Sequence, residues 1–388
     1  MGTVIHSTLL VSDRRAERDG WIRFEDGRVS SRGDGDGWRA ATQTGDVVID
    51  AAEIAGDGAV LTPGLIDLHG HGGAGAAHED GADAIRTARA LHRAHGTTRA
   101  VVSLVTASVD DLEARVAAIG RLAQHEDDIL GSHLEGPFLD PGHHGAHDPE
   151  LLRHPDADTV ARLLAAGEIG GAQTIRQITI APELPGAIDA IRAISAAGVI
   201  AAIGHTDADA DATAAGVDAG ATLVTHAFNA MPGIHHRRPG PIPTAARDDR
   251  VVLELIADGV HVADAVMLML LRAAPGRVAL VTDAMAATGM ADGDYAIGAL
   301  DVVVEQGVAT VRGTDTIAGS TLTQDVALRR VVGLGVPLPD AVGALTATPA
   351  KVLRRDDLGT LRTGAIADAV LWSRELEVAR VWTAGAVR

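Results

Sequence analysis

Eight apolar runs recur along the middle of this 388-residue chain, and each leaves room for a helix before the next. In order they are AVLTPGLIDLHG, TTRAVVSLVT, ILGSHLEGPF, TIRQITIAPEL, GVIAAIGHT, GATLVTHAFN, VVLELIADGVHV and RVALVTDAM. Stretches with helical spacing of apolar residues, such as DLEARVAAIGRLAQH and GAIDAIRAISAAG, separate most of them. Buried parallel strands that alternate with helices predict an α/β fold, a (β/α)8 barrel of the TIM type, rather than an open sheet.

The two ends of the chain have a different pattern. Short alternating strands between Gly- and Asp-rich turns occupy the first sixty residues and reappear in the tail GTLRTGAIADAVLWSRELEVARVWTAGAVR. We therefore expect residues 1–60 and 350–388 to form one small β-sandwich domain. The barrel would then be an insertion at residues 61–349.

Composition limits the kinds of site that the chain can build. It has no Cys, so disulfides and thiolate metal sites are excluded and only His and carboxylates are left as ligands. A formal net charge of −19 disfavours nucleic acid and anionic membranes as partners, although a small anion needs only a few local donors. The N-terminal segment is unlike a secretory signal and no apolar run is long enough to span a bilayer, which predicts a cytoplasmic protein.

Polar side chains stand where the predicted barrel strands end, which is the end that carries the active site in barrels of this type. They are His69, His71, Glu135, His205, His226, His261 and Asp283. With 17 His in the chain, a single strand-end His is more often structural than a ligand, and the His-Gly-His pair alone is equally compatible with a loop. Several such residues at one apolar mouth would each cost several kcal/mol without a compensating charge, and a divalent cation is the simplest partner.

These residue types suit metal-assisted hydrolysis. Glu135, His205 and His226 would form a three-ligand site with an open position, where a divalent cation brings the pKa of a water molecule to about 7. Asp283 would act first as general base and then as general acid. His261 would stabilise the oxyanion that forms on attack. The predicted reaction is hydrolysis of an amide or of a related C–N or ester bond.

Eight segments together resemble the N-acetylglucosamine-6-phosphate deacetylases of the amidohydrolase superfamily. They are PGLIDLHGHG, HLEGPFL with GAHDPELL, IGHTDA, THAFNAMPGIHHRRPGP, IADGVHV, VTDAM and IAGSTLT. The resemblance implies that Glu135, His205 and His226 hold the main metal ion and that Asp283 is the general base. It further implies substrate contacts from Ala146, His147, Asn229, Ala230, His261, Ile317, Ala318 and Gly319.

The run GIHHRRPGP is a basic island in an acidic protein, which taken alone is more often a solvated loop than an anion site. The resemblance implies instead that Arg237 holds the 6-phosphate across the interface of a homodimer. The planar guanidinium fork is suited to bind phosphate through two hydrogen bonds. Arg238 stands where an acid is usual in the family, so the donor is either Arg237 or Arg238.

The pair His69 and His71 is not part of the main ligand set. Some family members replace one or both histidines and work with one metal ion, so the resemblance implies a second metal position with Glu135 as the bridge. One or two divalent ions per subunit are therefore expected, with zinc or iron as the leading candidates. His and Glu ligands accept several divalent ions, and the sequence does not choose among them.

The expected reaction converts N-acetylglucosamine 6-phosphate and water into glucosamine 6-phosphate and acetate. Alternatives are the N-acetylgalactosamine epimer, an N-acyl amino acid or a cyclic amide, and the basic island favours the two sugar phosphates. A catalytically silent barrel that serves as a binding protein is a further alternative. It predicts broken ligands or a missing base, whereas this sequence retains all the ligands and Asp283.

Overall fold

The computed structural model describes residues 2–388, and strands from the middle of the chain form a parallel eight-stranded sheet. The strands are labelled β1 to β8 in chain order and follow the same order in the sheet. They are Leu65–Asp67, Thr97–Val105, Ile129–Phe138, Ile175–Ile180, Ile200–Ile203, Leu223–Val224, Val252–Ile256 and Val278–Val281. Nearly all residues of these strands are buried, as expected for a sheet with both faces covered.

The two edges of this sheet meet just beyond the ends of β1 and β8. Gly70 forms a parallel bridge with Ala284, and the carbonyl oxygen of His69 accepts a hydrogen bond from the Asp283 N–H at 2.9 Å. The His71 N–H donates to the Ala284 carbonyl oxygen at 2.7 Å. These contacts bring the first and last strand ends together, and they confirm the predicted barrel.

Helices follow the strands in alternation and are labelled α1 to α8. They are Ala82–Ala94, Val109–Ala123, Ala157–Ala166, Ala187–Ala196, Ala210–Ala219, Pro241–Arg247, Asp264–Ala273 and Gln324–Gly333. Helix α2 shows how the sequence sets them. Ser108 caps its N-terminus by accepting from the Asp111 N–H, and the buried Leu112, Val116 and Ile119 recur every three or four residues. Each fully buried aliphatic side chain of this kind contributes about 1.5–3 kcal/mol.

Strands from both ends of the chain form a second sheet of eight strands. From edge to edge they are Ala386–Val387, Val378–Thr383, Ala369–Trp372, Val60–Pro63, Thr3–Ser12, Arg15–Glu25 and Arg28–Asp34, with Val47–Asp50 paired beside Thr3–Ser12. The strand Thr3–Ser12 forks the sheet, because its first half pairs with Val47–Asp50 and its second half with Val60–Pro63. Apolar side chains from both branches share one core around Trp382.

The chain divides into two compact units. One contains the residues up to Asp67 together with His92–Arg99 and Thr323–Arg388, and the other contains Leu68–Leu91 and Ala100–Leu322. The predicted single apolar run AVLTPGLIDLHG contains two strands. Val60–Pro63 belongs to the second sheet and Leu65–Asp67 to the barrel, and Gly64 joins them. A Cβ at this position would lie 2.2 Å from Thr98 Oγ1, so the junction requires glycine.

A three-stranded antiparallel sheet follows β8, and the sequence analysis did not predict it. Its strands are Gly293–Ile297, Leu300–Glu305 and Val308–Val311. Ile297, Val302, Val304 and Ala309 form its apolar side and pack with the buried Ala318. The insertion thereby fixes the segment that carries Ile317 and Gly319.

Short elements complete the chain. They are the helices Trp38–Ala41, Ala51–Ala55, Leu338–Leu345 and Ala347–Val352, the 3-10 turns Gly35–Gly37, His78–Asp80, Pro141–His143 and Pro149–Leu151, and the paired strands Gly72–Gly73 with Ala76–Ala77 and Glu168–Ile169 with Ala172–Gln173. Within residues 2–388, none of the helices combines the length and the apolar character that crossing a membrane requires.

Candidate active site

A cavity of about 380 Å3 opens at the carboxyl ends of the barrel strands. Most of the predicted site residues line it, namely His71, Glu135, Ala146, His147, His205, His226, Asn229, Ala230, His261, Asp283, Ile317 and Gly319. Two predicted residues lie beside it, since His69 is fully buried and Ala318 belongs to the core of the insertion. The structure therefore brings together residues that are up to 248 positions apart in the sequence, from His71 to Gly319.

Arg237 also lies outside the lining of this cavity. It is exposed in the loop after β6, where its Nη1 lies 2.8 Å from Nε2 of His236. Arg238 is exposed in the same loop. The choice between the two arginines as phosphate donors stays a prediction.

Three of the polar residues at strand ends have left-handed backbone conformations. The φ angles are +48° at His205, +27° at His226 and +50° at Asp283. Such angles cost a residue with a Cβ on the order of 1–3 kcal/mol and persist where the surrounding structure enforces them. At the ends of β5, β6 and β8 they turn the chain sharply, so that each side chain points into the cavity.

The first cluster consists of Glu135, His205 and His226. Oε1 of Glu135 lies 3.1 Å from Nε2 of His205 and 3.0 Å from Nε2 of His226, and the two nitrogens are 2.9 Å apart. Nδ1 of His205 is 2.9 Å from the carbonyl oxygen of His143. Because that carbonyl can only accept, Nδ1 carries the hydrogen and the lone pair of Nε2 faces the cluster.

The second cluster shares Glu135 with the first. Nε2 of His71 lies 3.0 Å from Oε2 of Glu135 and 3.1 Å from Nε2 of His69. Oδ1 of Asp283 is 3.5 Å from Nε2 of His69 and 3.4 Å from Nε2 of His71. The shortest contacts of the two Glu135 oxygens therefore go to different clusters, which is the geometry of a bridging carboxylate.

His147 has the hydrogen-bonding geometry of a donor. Its Nδ1 accepts the Thr106 N–H at 3.2 Å, so the hydrogen of the neutral ring is on Nε2, 3.4 Å from Oε2 of Glu135. Burial lowers the pKa of His147 to about 4, against the opposing effect of the Glu135 carboxylate. A neutral ring with Nε2–H at the cavity wall is suited to donate to a substrate.

The electrostatics of the two clusters favour positive charge at their centre. Burial opposes ionisation, yet the surrounding imidazoles, His69 foremost, hold the pKa of Glu135 and of Asp283 below their usual ranges. In return, and again against burial, Asp283 and Glu135 raise the pKa of His71 to about 9. Within residues 2–388 no Arg or Lys pairs with Glu135 or Asp283. Nitrogen and carboxylate oxygen atoms this close together, with no Arg or Lys beside them, fit a divalent metal ion.

Comparison with known proteins identifies the family of this chain. The model of the amidohydrolase family matches residues 60–388. The chain belongs to the amidohydrolase family. This confirms the family membership that the sequence motifs implied.

Several relatives of this amidohydrolase are named as deacetylases of amino-sugar phosphates. The chain is 35% identical over 383 residues to an N-acetylgalactosamine-6-phosphate deacetylase of Escherichia coli O157:H7, covering 97% of this chain and 98% of the relative. It is 34% identical to an N-acetylglucosamine-6-phosphate deacetylase of Vibrio furnissii, covering 84% and 82%. A solved structure from Mycobacterium smegmatis, an aspartate-to-alanine mutant of N-acetyl-D-glucosamine-6-phosphate deacetylase in complex with N-acetyl-D-glucosamine-6-phosphate, is 41% identical, with a TM-score of 0.92 over 100% of this chain and 99% of that one.

His261 lies in the cavity wall of the amidohydrolase and has a carboxylate partner. Its Nδ1 is 2.6 Å from Oδ2 of Asp258, and Oδ1 of Asp258 accepts the N–H groups of Val260 and His261. The hydrogen bond from His261 lowers the pKa of Asp258, against the effect of burial. Asp258 thus fixes the orientation of the His261 ring.

A layer of buried polar residues beneath the clusters escaped the sequence analysis. His133 bonds Ser103 Oγ at 2.9 Å and Thr179 Oγ1 at 2.8 Å, and the Gly70 N–H donates to Ser103 Oγ at 3.1 Å. Glu254, fully buried on β7, lies 3.2 Å from Nδ1 of His69 and was missed as well. His133 precedes Glu135 by two residues and so shares its strand face, which was a usable signal. For Glu254 the only signal in the sequence was a carboxylate within an apolar strand.

Proposed function

We propose that this amidohydrolase hydrolyses N-acetylglucosamine 6-phosphate to glucosamine 6-phosphate and acetate. The observation that carries the proposal is the convergence of Glu135, His205, His226 and Asp283 in one cavity, beside the other residues that the family motifs bring there. The named relatives, which cover most of this chain, support the choice of an acetylated amino-sugar phosphate.

A divalent cation, zinc or iron, is part of the proposal. Glu135, His205 and His226 would hold the main ion, and His69 with His71 would hold a second ion that shares Glu135. An ion held by these residues would lower the pKa of water to about 7 and would polarise the carbonyl group that is attacked.

Asp283 performs the proton transfers in this mechanism. Its carboxylate takes a proton from the attacking water as the oxygen bonds to the acetyl carbon, and it returns the proton to the sugar nitrogen as the C–N bond breaks. Asp283 lines the cavity, and its Oδ1 lies 3.4 Å from Nε2 of His71, beside the proposed metal positions. His261, oriented by Asp258, would contact the oxyanion on the acetyl group.

The remaining contacts would position the sugar. Ala146, His147, Asn229, Ala230, Ile317, Ala318 and Gly319 are proposed to surround it. Arg237 is proposed to bind the 6-phosphate from the second subunit of a homodimer, a role supported by its exposure outside the cavity of its own chain. The cytoplasmic location predicted from the sequence is kept as part of this proposal.

The test is a comparison of substrates by released acetate. We expect the highest kcat/KM for N-acetylglucosamine 6-phosphate and a much lower value for N-acetylglucosamine. Equal values with and without the phosphate would refute the sugar-phosphate assignment. Arg237→Ala should raise KM for the phosphorylated sugar, and Arg238→Ala is the matched control that decides between the two arginines.

The galactosamine epimer is a second candidate substrate. The specific observation in its favour is the relative from Escherichia coli O157:H7, which aligns over nearly its whole length. A higher kcat/KM for N-acetylgalactosamine 6-phosphate in the same assay would transfer the proposal to that epimer.

A further inference from the structure

Glu254 is a fully buried carboxylate in the middle of the apolar strand β7. It receives three hydrogen bonds from elements that are distant in the sequence. Its Oε2 is 3.2 Å from Nδ1 of His69 and 3.3 Å from the backbone nitrogen of His226, and its Oε1 is 3.2 Å from Nε2 of Gln177. Among the described residues no Arg or Lys pairs with it, so the cost of burying this charge is offset only by neutral donors and by His69.

The contact with His69 decides which ring nitrogen carries the hydrogen. An ionised carboxylate can only accept, so Nδ1 of His69 is the donor, and in the neutral ring that binds a metal ion Nε2 presents its lone pair to His71 and Glu135. A carboxylate behind a histidine in this way fixes the ring orientation and strengthens the ring as a metal ligand. His71 has no equivalent support, because its Nδ1 has no hydrogen-bond partner in the described part of the chain.

The same oxygen of Glu254 also holds the backbone of the other cluster. His226, whose N–H it accepts, is one of the residues with a left-handed backbone conformation, at a φ of +27°. The carbonyl oxygen of Glu254 accepts the next N–H, that of Ala227, at 2.8 Å. Glu254 therefore fixes the ring of His69 in the second cluster. It also fixes the backbone turn that orients His226 in the first cluster.

We infer that Glu254 is a positioning residue that prepares His69 to bind the second divalent ion and links that position to the main one. The inference rests on the proposed function, because it assumes that the two clusters hold metal ions. Glu254 acts through His69 and His226 and does not line the cavity. Its removal should weaken the second position more than the first, because in the first cluster it touches only backbone.

The test measures zinc binding by the full-length Glu254→Gln variant. The amide preserves the shape of the side chain, yet its NH2 group can donate to Nδ1 and so stabilise the wrong tautomer of His69. We expect the affinity for the second zinc ion, measured by competition with a chelator, to fall roughly 10- to 100-fold, as for other lost partners of ligating histidines. The first ion should stay bound, and the Co2+-loaded variant should show a changed visible absorption spectrum for the second ion only.

Glu183→Gln is the matched control. Glu183 is a half-buried carboxylate that follows β4, and it accepts from Thr206 Oγ1 and the Asp207 N–H without contacting a histidine of either cluster. This variant should bind both ions as the wild type does. If Glu254→Gln binds the second ion with wild-type affinity, or loses both ions in parallel, Glu254 does not have the positioning role.

Two further outcomes separate this inference from the proposed function. A wild type that binds one ion and releases acetate contradicts the role of Glu254 and leaves the deacetylase proposal intact, whereas a wild type that binds none and is inactive refutes both. If Glu254→Gln does not fold, Gln177→Met takes its place. It removes the donor to the other carboxylate oxygen and should weaken the second ion severalfold, and unchanged binding would overturn the inference.

Discussion

Buried charges are compensated in different ways in the terminal sheet and in the mouth of the barrel. In the unit that contains the terminal sheet, Arg23 lies 2.7 Å from Asp46 and Arg99 bonds Asp368 at 2.5 and 3.1 Å, and none of these side chains is more than 5% exposed. At the barrel mouth, Glu135, Asp283 and the deeper Glu254 meet imidazoles and neutral donors instead of Arg or Lys within residues 2–388.

The difference separates charges that serve the fold from charges that serve a ligand. In a buried Arg–Asp pair the two charges neutralise each other, so no ion from solution is needed. A group of carboxylates and histidines without an Arg or Lys partner is suited to a cation from solution, and the left-handed turns at His205, His226 and Asp283 are a further cost of placing that group. Charge compensation thus marks the site independently of the family motifs.

The largest effect should come from Asp283→Asn, which removes the proposed base while preserving its size. Loss of a general acid and base typically lowers rates by about 100- to 10,000-fold, and we expect acetate release to fall within that range. The variant should keep its fold, as checked by circular dichroism. Wild-type activity in the folded variant would show that the carboxylate at the barrel mouth does not serve catalysis.

In the unit that contains the terminal sheet, the corresponding variant is expected to change the stability of the fold instead of the reaction rate. Arg99→Met leaves the buried Asp368 with the Ala384 N–H but without its cation, and we expect the free energy of unfolding to fall by about 3–5 kcal/mol. Urea unfolding measures the change. The double variant Arg99→Met, Asp368→Leu should recover part of it, and a single variant as stable as the wild type would contradict the structural role of the pair.

Asp325 gives a pH-dependent version of the same contrast. Burial alone would raise the pKa of Asp325. Hydrogen bonds from His95 and Thr323 and the charge of Arg329 outweigh burial and lower that pKa to about 2. A carboxyl whose pKa is lowered on folding stabilises the protein above its unfolded pKa, and that stability is lost as the pH falls through the folded pKa. Compared with Asp325→Asn, the wild type should be more stable by about 2 kcal/mol near pH 5. The difference should shrink toward pH 2, whereas a constant difference would exclude the titration of Asp325 as its cause.

The smallest loss of rate is expected from the double variant His69→Gln, His71→Asn, because Glu135, His205, His226 and Asp283 stay intact. Metal analysis should show one ion fewer per subunit than in the wild type. Acetate release should fall by less than in Asp283→Asn. Loss of all metal would mean that the main site was assigned to the wrong residues.

The sequence could predict the barrel and its polar strand ends because both depend on local patterns. Apolar runs define the strands, and the residues that end them meet at one end of any parallel barrel. His69 and His71 could be assigned to one face because side chains along a strand alternate. Whether each of these residues performs its predicted role depends on the metal and the substrate, so the roles stay predictions.

Other features depend on contacts between distant segments and could not be read locally. The run AVLTPGLIDLHG divides between two sheets at Gly64, where Thr98 approaches too closely for a Cβ. Glu254 carries no motif, and its partner His69 is 185 positions away in the chain. The insertion after β8 did leave a signal, since DVVVEQGVATV has the valines and the turn residues of a β-hairpin.

Metal analysis of the purified wild type tests the central claim most directly, since the claim is that the barrel mouth has no Arg or Lys to pair with its carboxylates and receives a divalent cation from solution. We predict one or two divalent ions per subunit, loss of acetate release when a chelator removes them, and recovery when the ion is restored. A metal-free protein with full activity would contradict the account.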